Sequence, residues 1–459
     1  MEEDTITALA TKAGESAVNI IKISGKNSIE IAQKIFKSKS QKKLKELKTY
    51  SMIYGNIYDD KDEIIDEVLI SIMKAPHSYT REDVVEINCH GGIAAVNKIL
   101  DLVIKYGARL AEPGEFTKRA FINGRIDLTQ VEAIADIIYA KTETSLKIAA
   151  NNLKGILSQE IKNIRKNLLE LIVDIEASID FTEEDIEIIS YDEMLKRVKF
   201  ISNKLRELIK NEEKGEIIKN GIKVSIIGKP NVGKSSLLNL IIKKDKAIVT
   251  PIPGTTRDAV EEILYLNGIP VIMTDTAGIR ESKNIIEKIG VNKSMSEIER
   301  SDILIVVIDN SRILTKEDME ILKKTKEKKH IVCINKIDKK SKIDKTEIQK
   351  YIDKRFILEV SALKNTGINK LEEKIKDLTI GKDRFEIEEK IIINKRQKIT
   401  IQKAKEAMDN AISAIKNKLS EEFPALDLRN AYNLLGEIIG ENTNEDILNG
   451  IFKKFCIGK

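Results

Sequence analysis

The sequence predicts a multidomain chain mixing α/β and all-α classes: an α+β N-terminal domain, a helical domain, and an α/β module inserted into the helical one. Three observations predict it. Strand-like and helix-like runs alternate over residues 1 to about 118. An apolar stripe at helical spacing follows, and it is interrupted between about Gly215 and Ile380 by buried-looking strands with glycine-rich turns. The boundaries read as 1–118, then 119–214 together with 381–459, with 215–380 inserted; insertion needs only close termini in the inserted module. A chain of 459 residues has room for about three domains of ordinary size.

In the first region Val18 to Ile23, Met52 to Tyr58, Val68 to Met73 and Val84 to Ile87 read as strands, and Ile29 to Phe36 and Ala94 to Tyr106 as helices. After Pro113-Gly114 the text is helical. Leu153, Leu157, Ile161, Ile164, Leu168, Leu171, Ile175 and Ile179 step by three or four, which predicts one long helix. A second carries Leu195, Val198, Ile201, Leu205 and Leu208, and Ile401, Ala404, Met408, Ile412, Ile415 and Leu419 repeat the stripe near the C-terminus. Such stripes read as bundle core rather than binding surface.

Lys plus Arg number 78 against 73 Asp plus Glu, so there is no overall basic field for nucleic acid and any RNA contact must be a local patch. With no tryptophan and 4% aromatics, a base-stacking platform is disfavoured. The lysine runs Lys323 to Lys329 and Lys339 to Lys345 read as solvated faces. Cysteines at 89, 333 and 456 have no paired spacing, which suggests neither a disulfide framework nor a zinc site, and a reducing compartment. Met1-Glu2-Glu3-Asp4 lacks the basic and apolar regions of a signal peptide, and runs such as Ile303 to Ile308 are too short to span a bilayer. A soluble, cytoplasmic protein without a membrane partner is expected.

The chemistry concentrates at Gly228-Lys229-Pro230-Asn231-Val232-Gly233-Lys234-Ser235-Ser236, a phosphate-binding loop between the strand Ile222 to Ile227 and the helix Ser236 to Ile242. Its backbone N–H groups can wrap a triphosphate, Lys234 neutralises the β and γ phosphates, and the Ser235 hydroxyl ligates magnesium. Asp275-Thr276-Ala277-Gly278 follows Ile269 to Met273 and puts a carboxylate at a strand end, where it can hold the magnesium shell. Asn335-Lys336-Ile337-Asp338 follows His330 to Ile334; Asp338 can accept from the N1 and N2 donors of guanine, which adenine lacks. Ser361-Ala362-Leu363-Lys364 closes a series that resembles the ordered motifs of Ras-like GTPases, and the resemblance implies GTP and Mg2+.

Between the first and second of these motifs lies Thr250-Pro251-Ile252-Pro253-Gly254-Thr255-Thr256-Arg257-Asp258, where Thr256 is the choice for a magnesium ligand that senses the γ phosphate. Ile279 follows Gly278 and cannot polarise water, so a hydrolytic acceptor must come from elsewhere; Glu281 and Glu287 are both available. Arg257, Arg280 or a bound cation are the candidates for charge on the transition state.

The 250–258 segment, the terminal Phe455-Cys456-Ile457-Gly458-Lys459 and the inserted module resemble the MnmE (TrmE) family of tRNA modification GTPases over essentially the whole chain. Ile21-Lys22-Ile23-Ser24-Gly25, Glu86-Ile87-Asn88-Cys89-His90-Gly91-Gly92 and Pro113 to Phe121 match its N-terminal segments. The resemblance implies that the N-terminal region is a tetrahydrofolate-binding and dimerisation domain. It implies that the chain, a homodimer joined with the FAD-carrying MnmG in a heterotetramer, adds an aminomethyl or carboxymethylaminomethyl group to carbon 5 of the tRNA wobble uridine. A 5-formyl- or methylene-tetrahydrofolate supplies the carbon. It further implies a potassium ion on Asn231, Thr250, Ile252 and Thr255 in place of an arginine finger, hydrolysis on G-domain dimerisation, and Glu287 rather than Glu281 as the residue that positions water. For folate it points to Lys22, Glu86, Arg125 and Lys459. Lys22 stands where the family commonly has arginine and Arg125 where it has lysine, which keeps charge but changes geometry. Cys456 occupies the family's cysteine position, as a participant in the modification or an incidental thiol, and His90 reads as a structural turn histidine.

Overall fold

The computed structural model describes residues 4–180, 189–210, 215, 217, 221–244, 261–266, 269–275, 300–380, 391–442, 444–453 and 455–459. They fall into two compact units, Met1–Ile138 with Ala150–Leu205 and Ile399–Lys459, and Tyr139–Ala149 with Arg206–Lys398.

In the first unit, β1 (Thr5–Leu9), β2 (Ser16–Ser24), β3 (Phe36–Ser38), β4 (Ser51–Tyr58), β5 (Ile64–Met73), β6 (Val84–Gly91) and β7 (Ala108–Leu110) form one sheet in the order β3-β4-β5-β6-β2-β1-β7. All pairings are antiparallel except β1 with β7. Alternate side chains Ile21, Ile23, Ile53, Ile57, Ile70, Ile72, Val85 and Ile87 share a core with α1 (Ser28–Ile35) and α2 (Ile93–Lys105). The four strands and two helices expected here are present. β1, β3 and β7 are additional: two are only three residues long, and three of the five residues of β1 are threonine or alanine, so no apolar run marks it.

The helices continue with α3 (Glu115–Ile122), α4 (Leu128–Tyr139), α5 (Glu143–Leu153), α6 (Ile156–Asp180) and α7 (Tyr191–Lys210). The single long helix expected from Leu153 is two: Gly155, at φ +87°, breaks the chain, so Leu153 ends α5 and the buried stripe Leu157, Ile161, Ile164, Leu168, Leu171 and Ile175 belongs to α6.

The second unit holds β8 (Ile222–Ile227), α8 (Lys234–Lys244), β9 (Glu261–Leu266), β10 (Ile269–Asp275), β11 (Ile303–Asp309), α9 (Lys316–Thr325), β12 (Lys329–Asn335), α10 (Lys345–Gln349), β13 (Ile357–Glu359) and α11 (Ile368–Ile380). Strand order is β13-β12-β11-β8-β10-β9, parallel except for the β9–β10 hairpin. Every residue of β11 is buried, as expected for a strand covered on both faces. One face packs Val224, Ile226, Ile305 and Val307 against Leu237, Ile241 and Leu371; the other packs Leu304, Val306, Val332 and Ile334 against Leu322 and Ile348. Parallel strands put their carboxyl ends at one edge, where doubly wound sheets bind ligands.

The chain closes with α12 (Lys395–Lys416), α13 (Glu422–Ile439) and α14 (Glu445–Phe452). Ile401, Ala404, Met408 and Ile415 are buried as the stripe predicts, but Leu419 lies beyond α12 and is 43% exposed, and Ala411 is buried in the stripe instead. Among the described residues no helix is long and apolar enough to cross a membrane.

Candidate functional site

The loop from Gly228 to Ser236 joins β8 to α8 and closes tightly on its neighbours. Gly228 has φ +147°, and a Cβ there would stand 2.5 Å from the Val307 carbonyl oxygen. Gly233 has φ +99°, and its Cβ would stand 2.3 Å from Asn335 Nδ2. These are positions only glycine fills, and they form a backbone cradle of the kind that holds phosphate. Asn231 also takes a left-handed backbone, at φ +64°, which asparagine tolerates better than most residues. Val232 is buried beneath the loop, while Ser235 and Ser236 are exposed in the first turn of α8. Lys234 is 9% exposed, and its Nζ donates to the Gly228 and Lys229 carbonyls at 2.8 Å each, so its charge sits inside the loop.

Asn335 ends β12 and ties three motifs together. Its Nδ2 donates to the Val232 carbonyl at 2.8 Å, and its Oδ1 accepts from Ala362 N at 3.0 Å. Lys336, at φ +65°, donates from Nζ to the Asn231 carbonyl and to Asp309 Oδ2, each at 2.7 Å. Ile337 N donates to the Val360 carbonyl, and Asp338 accepts from the Ser361 hydroxyl, which holds its carboxyl below the usual range. Leu363 is 83% exposed beside this edge. All described members of the loop, the Asn335 motif and the Ser361 motif thus meet at the carboxyl end of the sheet.

Sequence reasoning overlooked Asp309. It ends β11 and is 4% exposed; burial pushes its carboxyl up, but the Lys336 ammonium and the Ser311 hydroxyl and N–H outweigh that and hold it below the ordinary value. The signal was present, since Asp309 follows the apolar run Ile303 to Ile308 as Asp275 follows Ile269 to Met273. Asp275 is the last residue of β10 and pairs in register with Ile226, which places its backbone beside the loop's strand. Thr250, Pro251, Ile252, Pro253, Gly254, Thr255, Thr256, Arg257, Thr276, Ala277, Gly278, Ile279, Arg280, Glu281 and Glu287 lie outside the described residues, as does the Asp275 side chain.

A second site lies in the first unit. Lys22 and Glu86 are partners in the β2–β6 register, with Nζ 3.5 Å from Oε1. The Lys22 ammonium also lies 5.6 Å from the Tyr79 ring centre and 5.4 Å from that of Phe116, and the Arg125 guanidinium stacks 4.7 Å from Tyr79. Burial lowers the Lys22 pKa, Glu86 acts against that, and Lys459 adds to it, with a net value below that of an ordinary lysine. Arg125, Tyr79, Gln130 and Lys459 line a cavity of about 480 Å³ whose other walls are Ile126, Ile134, Ile137, Ile138 and Leu153. Apolar walls with a few cationic groups suit a flat anionic ligand of drug-like size. Of the four residues expected for folate, Arg125 and Lys459 line the cavity and the Lys22–Glu86 pair adjoins it through the shared Tyr79 ring; Tyr79 and Gln130 join them without any local signal in the sequence.

The tail reaches this cavity by close packing. Phe452 and Phe455 are buried with Ala120, Leu128 and Val131. Gly114 N donates to the Cys456 carbonyl, and a Cβ on Gly458, at φ +95°, would stand 2.6 Å from the Leu9 carbonyl oxygen. Cys456 is exposed, whereas Cys89 and Cys333 are buried. His90 corrects the turn expected for it: it lies within β6, with Nδ1 2.7 Å from Asp66 Oδ1.

A family model described as the MnmE helical domain matches residues 128–456, and one described as the GTP-binding protein TrmE N-terminus matches residues 5–125. The chain is 43% identical over 458 residues to a tRNA modification GTPase MnmE of Alkaliphilus metalliredigens, covering 100% of this chain and 99% of that one. It is 45% identical over 457 residues to that of Clostridioides difficile, covering 100% and 99%. Against that of Thermoanaerobacter pseudethanolicus it is 47% identical over 457 residues, covering 99% of each.

Proposed function

The chain belongs to the MnmE family of tRNA modification GTPases, and from that premise we propose that it couples GTP hydrolysis to the modification of wobble uridines in certain tRNAs. GTP is hydrolysed by the second unit. The modification itself, a carboxymethylaminomethyl or aminomethyl group at carbon 5, is made together with the flavoprotein MnmG, and the carbon comes from a tetrahydrofolate held by Lys22, Glu86, Arg125 and Lys459. The observation that carries the reading is the double bridge of Asn335, which joins the phosphate loop at Val232 to the Ala362 segment. That geometry supports a site for a whole guanine nucleotide, phosphates at one end and base at the other.

Within it, the loop N–H groups and Lys234 bind the phosphates, and Asp338 reads guanine. Ser235, exposed at the start of α8, fits a magnesium ligand, with Thr256 and Asp275 completing its surroundings. Asn231 fits a potassium ligand: its backbone oxygen is already held by Lys336, which leaves the carboxamide for the ion, with Thr250, Ile252 and Thr255 as further ligands. Held by these residues, the cations would supply positive charge to the transferring phosphoryl group. Glu287 would orient the attacking water, and dimerisation of the G domains would complete the site.

Single-turnover GTP hydrolysis in potassium and in sodium, across protein concentration, tests the ion and the dimer together. Faster turnover in potassium, steepening with concentration and lost in Asn231→Lys, is expected; equal rates in both salts would remove the cation mechanism. For the modification, depletion should leave wobble uridines unmodified, and intact modification would overturn the assignment.

A further inference from the structure

We propose that the lysine-rich segment from Lys34 to Lys48 is the surface that holds the phosphate backbone of the RNA substrate. This rests on the tRNA reading above and names how that substrate is gripped. The segment carries seven lysines and one glutamate, a net charge of +6 in a chain whose total is +5, so the rest of the sequence is net −1. It is among the most basic stretches of the chain, and a run of exposed positive charge is the electrostatic footprint of a polyanion site.

The structure sorts these lysines. Lys37 is paired with Asp62, Lys39 lies 3.6 Å from Glu67, and Lys34 sits 5.6 Å from the Tyr106 ring. Lys42, Lys43, Lys45 and Lys48 are exposed, and among the described residues no acidic partner is found for them. Their backbone is nonetheless fixed. Leu44 is fully buried and its N–H donates to Gln33 Oε1 at 2.6 Å, while Lys74 Nζ donates to the Lys45 carbonyl and Lys74 N to Thr49 Oγ1. Because the turn beneath these four ammonium groups is already ordered, binding phosphate has only their side chains left to fix.

The segment leads into a cavity. Tyr50, two residues beyond Lys48, is 73% exposed and lines a space of about 420 Å³ together with His77, Tyr79, Arg81 and Arg125. Tyr50 at φ +59° and Arg81 at φ +60° both hold left-handed backbones, a strained state for such bulky residues that tends to mark functional sites. Arg125 and Tyr79 also line the neighbouring cavity that holds Lys459. A strand laid along the lysines would thus bring a base to an exposed ring and a guanidinium, the groups on which single-stranded bases stack, next to the site assigned to the carbon donor. An acidic membrane is the poorer occupant among the lysines themselves, where Leu44 is buried and Leu47 half-buried; Tyr50 and Met52 just beyond are exposed, so a vesicle arm belongs in the test.

The test is binding of the full chain to a transcribed tRNA with uridine at the wobble position, by fluorescence anisotropy across a salt series. The variant K42Q/K43Q/K45Q/K48Q is expected to bind about tenfold more weakly or worse and to lower the salt slope by about 3, with GTP hydrolysis retained as proof of folding. K323Q/K324Q/K326Q/K329Q removes equal charge from another exposed run and should leave tRNA binding unchanged. Equal binding by wild type and the first variant overturns this surface while leaving the tRNA reading intact. Equal weakening by both variants overturns it as a net-charge effect. Wild type that binds no tRNA overturns reading and surface together. Loss of binding to phosphatidylserine vesicles with tRNA binding untouched assigns the patch to lipid and overturns it as well.

Discussion

The carboxamide of Asn335 occupies the space that a side chain at Gly233 would need. Its Nδ2 stands 2.3 Å from the position of a Gly233 Cβ, and it cannot retreat, because it is tied to Val232 on one side and Ala362 on the other. The base-reading motif and the phosphate loop are therefore parts of one packed object. Gly233→Ala should strain the backbone at φ +99° and push Asn335 out of both bonds, at a cost of about 1–3 kcal/mol. Titration with a fluorescent GTP analogue should show affinity lower by tenfold or more, and an unchanged Kd would show that the loop relaxes freely.

Asp309 and Lys336 make a second tie. Their contact of 2.7 Å is buried on the aspartate side, and Lys336 also holds Asn231. Asp309→Asn should weaken guanine-nucleotide binding by about 1.5–3 kcal/mol, the usual worth of a hydrogen bond to a charged group. Because the folded Asp309 carboxyl lies below its ordinary value, its contribution is complete above the unfolded pKa and is lost only as pH falls through the folded one. Thermal stability of the wild type should thus show no loss from this pair near neutrality and a fall in acid that the variant lacks. Matching acid profiles by calorimetry would contradict the role.

These ties explain how much was legible beforehand. The glycine loop and Asn335 to Asp338 announce themselves because their chemistry is carried by backbone shape and by adjacent residues, so a short stretch contains the whole signal. Asp309 was readable in principle from the strand before it. Lys22 and Glu86 become neighbours only when β2 pairs with β6, and Tyr79 and Gln130 only when the helices close the cavity, so nothing local marks them. The stripe from Leu153 predicted helix correctly but missed the break at Gly155, since periodicity continues across a glycine that the backbone does not.

His90 and Asp66 give a pH signature. Asp66 Oδ1 lies 2.7 Å from His90 Nδ1, and this contact raises the imidazole pKa above the ordinary histidine value. A raised folded pKa stabilises the fold fully below the unfolded pKa, and that contribution is lost as pH rises through the folded one. An NMR titration should show His90 as a high-titrating histidine, and Asp66→Asn should return it toward the ordinary value. A titration point already at that value in the wild type would mean the pair does not form in solution.

The thiols should divide by burial. Desolvation, which disfavours the thiolate, pushes Cys89 up to about 11 and Cys333 up to about 12, whereas Cys456 is exposed in the tail beside Lys459. The thiolate is the nucleophile, so mildly alkaline alkylation of the folded protein should modify one thiol, Cys456, and all three only in denaturant. Mass spectrometry of the labelled peptides reads this directly. Protection of Cys456 by a tetrahydrofolate would bring the tail and the Arg125 cavity into one site, as the proposed carbon-donor role requires. Labelling at an unchanged rate with saturating ligand would separate the cysteine from that chemistry and leave Lys459 as the tail's contribution.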